Sequence, residues 1–143
     1  MEQINITKED FIKINEDDVL FITNPGRMGD EDGIFFVTND YTLYRVGGWY
    51  MGHGDITLED AEKQFPKWSE AWANCSNEEY EGKYKYIPMG FGNGLCVDNR
   101  IYDKYYSYLE KELEKSDAED IHKFGFIFKH WKIALENMIK DTK

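Results

Sequence analysis

Three segments in the first half of the chain, Val19 to Thr23 (VLFIT), Ile34 to Thr38 (IFFVT) and Leu43 to Tyr50 (LYRVGGWY), are dense in β-branched and aromatic residues. Such residues fit a pleated surface and crowd a helix, so these runs commit the first half to strands. Turn formers separate them. Asn39-Asp40 predicts a tight turn between the second and third, and Pro25-Gly26 suits the central positions of a type II turn between the first and second. An antiparallel meander is the economical arrangement. Tyr84 to Met89 and Leu95 to Val97 flank Gly90-Phe91-Gly92-Asn93-Gly94, a second hairpin that extends the same sheet.

Helical signals surround the strands. Thr7 with Asp10 caps a short opening helix carrying Phe11, Ile12 and Ile14, and Thr57 with Asp60 caps a central helix carrying Leu58, Ala61, Phe65, Trp68, Ala71 and Trp72. Pro66 removes a donor and clashes with the preceding turn, which predicts a kink or two short helices meeting near Phe65. Asp98 or Asn99 can cap a helix through Ile101, Tyr105, Leu109 and Leu113. Ser116 with Glu119 forms a capping box for a last helix, whose stripe runs Ile121, Phe124, Phe128, Trp131, Leu135, Met138. The expectation is one α+β domain over residues 1–143, an antiparallel sheet of about five strands packed against a central helix and two C-terminal helices.

At 143 residues a chain buries roughly two thirds of its unfolded surface, so this one needs no disulfides or metal to fold. Its core material is aromatic, with ten Tyr, nine Phe and four Trp. The start, MEQINITKED, lacks a basic stretch leading into an apolar one, and no apolar run is long enough to span a bilayer, so the expected setting is cytoplasmic, without membrane contact. Cys75 and Cys96 have no CxxC spacing and read as two buried thiols.

Chemistry-bearing motifs are sparse. His53 in Gly52-His53-Gly54-Asp55 sits two residues from a carboxylate, but no second histidine stands at metal-ligand spacing, and it reads as a loop histidine. His122 and His130 are eight residues apart on the last helix, too far to chelate together. Neither glycine-rich stretch carries a phosphate-loop ending, and no Gly-x-Ser-x-Gly elbow occurs. No catalytic residue, metal ligand or cofactor is assigned.

Charge is the strongest functional signal. Residues 1–98 hold nineteen Asp and Glu against eight Lys and Arg, whereas residues 99–143 hold nine of each, so the net −11 belongs to the first two thirds. Such a surplus repels nucleic acid and steers basic partners toward itself. It is concentrated in four runs: Glu16-Asp17-Asp18, Asp30-Glu31-Asp32, Glu59-Asp60 with Glu62, and Glu78-Glu79-Tyr80-Glu81. Carboxylates at a helix start answer its dipole, which explains Glu59 and Asp60 without a partner. Asp30, Glu31, Asp32, Glu78, Glu79 and Glu81 have no such helix. With the rings of Tyr80, Tyr84 and Tyr86 they form the candidate partner-binding set.

Small size, acidity and Tyr-flanked carboxylates make the chain resemble the small acidic immunity proteins of bacterial toxin systems and phage-encoded nuclease inhibitors. The resemblance implies a non-enzymatic inhibitor that docks on a basic protein, a toxin or nuclease, and blocks its active or nucleic-acid-binding site. A different reading is a small-molecule or peptide pocket with weak hydrolytic activity, built from Tyr44, Arg45, Trp49, Tyr50 and His53. A third is a homo-oligomer joined by its surplus aromatics.

Overall fold

The computed structural model describes residues 3–23, 26–28, 31–47, 56–90, 93–115 and 126–143. Its strands are β1 (Ile4–Ile6), β2 (Val19–Thr23), β3 (Gly26–Met28), β4 (Glu31–Thr38), β5 (Leu43–Val46), β6 (Tyr84–Gly90) and β7 (Asn93–Asp98). Its α-helices are α1 (Lys8–Phe11), α2 (Leu58–Gln64), α3 (Pro66–Ala73), α4 (Tyr102–Glu114) and α5 (Phe126–Thr142), with a 3₁₀ turn at Glu16–Asp18. Among the described residues no helix is long and apolar enough to cross a membrane.

The α+β architecture agrees with the sequence, with two strands more than the five expected. Six strands lie in the order β1-β5-β4-β2-β7-β6, and β3 pairs with β4 beside this path. The meander β2-β4-β5 and the hairpin β6-β7 are antiparallel, and the hairpin joins through β2, with Phe21 opposite Val97 and Cys96 opposite Ile22. β1 corrects the all-antiparallel expectation, because it lies parallel to β5 with Ile4 opposite Tyr44. Three residues are too few to show an alternation, so β1 has no strand signature of its own. Gly26, expected in a turn after Pro25, is the first residue of β3, and Pro25 lies outside the described residues.

Helices cover both faces of the sheet. Along β4, Ile34 and Phe36 enter one core while Phe35 and Val37 enter the other. A strand buried on both sides has no polar alternate positions, which is why this stretch reads as an unbroken apolar run. An irregularity in β2 between Val19 and Phe21 sends Val19 and Ile22 to one core and Leu20 and Phe21 to the other.

The first core, beneath α4 and α5, is organised by Trp131. Its ring stacks on Phe21 at 6.0 Å and meets Phe35 edge-on at 5.4 Å, while Tyr105 donates its hydroxyl to the Trp131 carbonyl at 3.0 Å. Leu135 and Met138 follow on the expected stripe, joined by Ala134 and Ile139. Ser116, Glu119, Ile121 and Phe124 lie outside the described residues. α4 departs from its predicted cap, since Ile101 occupies the cap position with no side-chain bond. Its stripe also shifts at the end, leaving Leu113 39% exposed and Glu112 5% exposed.

The second core, beneath α1 to α3, is a triangle of rings, Phe11, Phe36 and Phe65, with centroids 5.0 to 5.9 Å apart. Thr7 and Asp60 cap as the sequence predicts. The Thr7 hydroxyl accepts the Asp10 amide at 3.2 Å, and Thr57 and Asp60 form a reciprocal capping box. Pro66 splits the central helix in two, and Phe65 at the break is fully buried. Cys96 is buried in this core, but Cys75 is exposed, because α3 ends before it and the chain turns outward. The expectation of two buried thiols holds for Cys96 alone.

Candidate protein-binding face

The sheet turns the charge asymmetry of the sequence into an asymmetry in space. The layer on the second core, residues 3–18 and 56–83, carries twelve carboxylates and five lysines. The opposite layer, residues 99–115 and 126–143, carries six carboxylates and eight Lys and Arg. All five lysines of the acidic layer are occupied: Lys8 with Asp60 (3.1 Å), Lys13 with Asp10 (4.0 Å), Lys63 with Glu59 (3.1 Å), Lys67 with Asp17 (3.4 Å) and Lys83 with Asp98 (2.6 Å). Glu9, Glu62, Glu70, Glu78, Glu79 and Glu81 make no ion pair among the described residues. The negative field on this side is therefore largely uncompensated from within the layer.

The four acidic runs meet different fates. Glu16 leaves the surface: it is 7% exposed, and its carboxylate accepts the backbone N–H groups of Lys67 and Trp68, both at 2.9 Å, at the start of α3. Burial pushes its pKa up against the lowering effect of those two amides and the Tyr84 hydroxyl. Asp60 is spent on the capping box and on Lys8, which hold its pKa below the ordinary carboxylate value. Neither residue is free for a partner.

The two runs nominated together lie at opposite ends of the sheet. Val19 pairs with Thr38 and Tyr84 with Asp98, so these residues mark one end, where the loop 74–83 enters β6. Glu31 and Asp32 begin β4 at the other end, seven residues from Thr38, roughly 23 Å along the strand. Asp30 lies outside the described residues. The structure therefore does not bring Glu31 and Asp32 beside Glu78 to Glu81, and it is the second run that lies within the acidic layer.

That run belongs to a well-pinned loop. The Asn77 amide donates to the Asn74 carbonyl at 2.9 Å and the Tyr80 amide to the Asn77 carbonyl at 3.1 Å, two successive turns. Asn99 ties the loop to β7, its side chain donating to the Gly82 carbonyl at 2.5 Å and its amide to that of Lys83 at 3.1 Å. The buried Asp98 carboxylate holds the same end of the loop, accepting from Lys83 at 2.6 Å and from Arg100 at 2.9 and 3.0 Å. Burial would raise the Asp98 pKa, but these bonds outweigh it and hold the carboxyl at about 2.

A groove of about 350 Å³ runs between the end of α3, this loop and β6, and Asn74, Cys75, Glu78, Tyr80, Tyr84 and Tyr86 line it. Glu78, Glu79 and Glu81 are exposed and Tyr80 is half-buried. Burial, then the neighbouring Glu70 carboxylate, pushes the Tyr80 hydroxyl pKa up. Tyr84 corrects the expectation of an exposed ring: it is 2% exposed and turns its hydroxyl to Glu16 at 3.4 Å, so it is the floor. Tyr86, nominated with Tyr80 and Tyr84, lines the groove as well, whereas Glu70, beside Tyr80, was not in the nominated set. Only the return of β6 past α3 brings the two beside this loop.

The alternative pocket does not assemble from its described members. Tyr44 stacks on Phe36 in the second core at 5.2 Å, whereas Arg45, the next residue of β5, points to the other face and reaches Asn5 at 3.5 Å. Trp49, Tyr50 and His53 lie outside the described residues. His130 is buried on α5, its Nδ1 4.0 Å from the buried Glu112 carboxylate, which also accepts from Lys115 and Asn137. Among the described residues no three His, Cys, Asp or Glu side chains converge as a metal-ligand set. Comparison with protein-family models, curated proteins and solved structures found no match, so the face is characterised by its own geometry alone.

Proposed function

We propose that this protein is a non-enzymatic binder that docks its α1–α3 layer onto a basic protein and blocks that partner's active or nucleic-acid-binding site. The observation that carries the reading is the separation of charge across the sheet, with every lysine of the acidic layer already paired within the molecule. An uncompensated acidic face costs stability through self-repulsion and accelerates encounter with a positive surface. The pinned loop at Glu78 to Glu81 adds contacts whose ordering cost is met before binding. A nuclease or another protein that handles nucleic acid presents the matching positive groove.

The test begins with a low-salt pull-down from host lysate to identify the basic target. Binding kinetics then compare the protein with a variant carrying Glu78→Lys, Glu79→Lys and Glu81→Lys. Association should slow by about ten-fold or more and lose much of its salt dependence, while Glu110→Lys with Glu114→Lys on α4 leaves both unchanged. Equal association rates for the two variants would overturn the reading.

A further inference from the structure

We propose that the groove between α3, the loop 74–83 and β6 receives a single arginine side chain of the basic partner. The inference rests on the acidic-binder reading and specifies what one part of that face recognises. At about 350 Å³ the groove sits at the small end of ligand sites, which run about 300–1,000 Å³, and suits one long side chain better than a folded segment.

Its walls are aromatic and held in place. The Tyr80 ring lies against Gly82 and the Tyr86 ring against Gly94, so closely that a Cβ at either glycine would overlap the ring. The glycines thereby make room for the rings, and packing restricts where the rings can go. The buried Tyr84 forms a floor against which an aliphatic stem can lie.

Charge selects the head group. Glu78 lines the groove and Glu70 stands beside Tyr80. Lys85 is the one cation among the described lining residues, and its Nζ is directed at the Tyr102 ring, 4.7 Å from the centroid, on the sheet face that carries α4. Lys83 Nζ also lies 5.2 Å from the centroid of the floor ring Tyr84, but its charge is met by the buried Asp98 carboxylate at 2.6 Å, so the two cations described near the groove are both turned to partners outside it. A guanidinium stacks on aromatic rings while its N–H fork meets a carboxylate, and its weaker hydration makes entry cheaper than for an ammonium. The occupant that fits rings and carboxylate together is arginine.

The test is an NMR titration of the whole chain with the capped peptides acetyl-Gly-Arg-Gly-amide and acetyl-Gly-Lys-Gly-amide. The arginine peptide should bind about five-fold tighter, with shifts centred on the Gly82 and Gly94 amides. Tyr80→Leu should abolish that preference and Tyr80→Phe should retain it. Glu78→Gln, an exposed change that leaves the core untouched, should weaken the arginine peptide by about three-fold or more. Equal binding of the two peptides, with salt-sensitive shifts spread over α1 to α3, overturns the arginine groove and leaves the acidic face standing. Failure of both peptides, together with failure of the loop reversal to slow the basic protein, overturns both. Shifts at Gly82 and Gly94 that depend on protein concentration alone assign the groove to a second copy and overturn it as well.

Discussion

At the scale of single residues, this protein uses buried carboxylates to hold its chain together and exposed ones to shape its field. Asp98 shows the first use. A carboxyl held at about 2 in the folded state, against 3.8 in an unperturbed one, contributes stability that is present above the unfolded value and is lost as pH falls through the folded value. The shift is worth about 2 kcal/mol. Acid unfolding should therefore show a loss between about pH 4 and pH 2 that Asp98→Asn removes. The same variant should be destabilised at pH 7 by about 3 kcal/mol, because Lys83 then loses its carboxylate while its side chain stays mostly buried. Chemical denaturation across this pH range reads both effects.

At the scale of elements, the junctions carry more specificity than the elements themselves. α3 starts at Pro66 without a side-chain cap from Phe65, the residue before it, and its first amides are met from 51 and 52 residues away by Glu16. This distant carboxylate does the work of an N-cap and ties the 3₁₀ turn to α3 and, through Tyr84, to β6. Glu16→Ala should cost about 2–3 kcal/mol, since it orphans two amides in a buried setting. Denaturant unfolding at neutral pH measures that cost, and a loss below about 0.5 kcal/mol would mean that water satisfies α3 equally well. The Phe65 break itself needs no such help, because proline rejects a continuous helix on local grounds.

At the scale of the whole molecule, a layer with a slight excess of Lys and Arg and an acidic layer face away from each other across a sheet buried on both sides. Self-repulsion within the acidic layer should make the fold more stable as salt rises, since exposed charges are screened at about 8–10 Å at physiological ionic strength. The melting temperature should climb between low and moderate sodium chloride. The triple reversal at Glu78, Glu79 and Glu81 should reduce that climb while leaving stability in high salt within about 0.5 kcal/mol, because all three are exposed loop residues. Thermal melts over a salt series check this. A protein that becomes no less stable while binding its partner more slowly would show that these charges are kept for recognition.

Local chemistry written in neighbouring residues was legible from the sequence. Thr7, Thr57 and Asp60 cap where they should, Pro66 divides the central helix, and Asn39-Asp40 turns β4 into β5, because each decision is settled within four residues. The acidic surplus was legible too, as a property of composition. Pairing across the chain was decided only by the tertiary structure. β1 becomes a strand because β5 offers it an edge, and the Asp98 carboxylate is met by Lys83 from across the open end of the β6-β7 hairpin. Glu31 and Glu78 are separated because β4 and β6 enter the sheet from opposite ends. A sequence states how much charge a chain carries and where its caps and breaks fall. Which charges neutralise one another, and which are left facing outward together, depends on contacts between residues far apart in the chain.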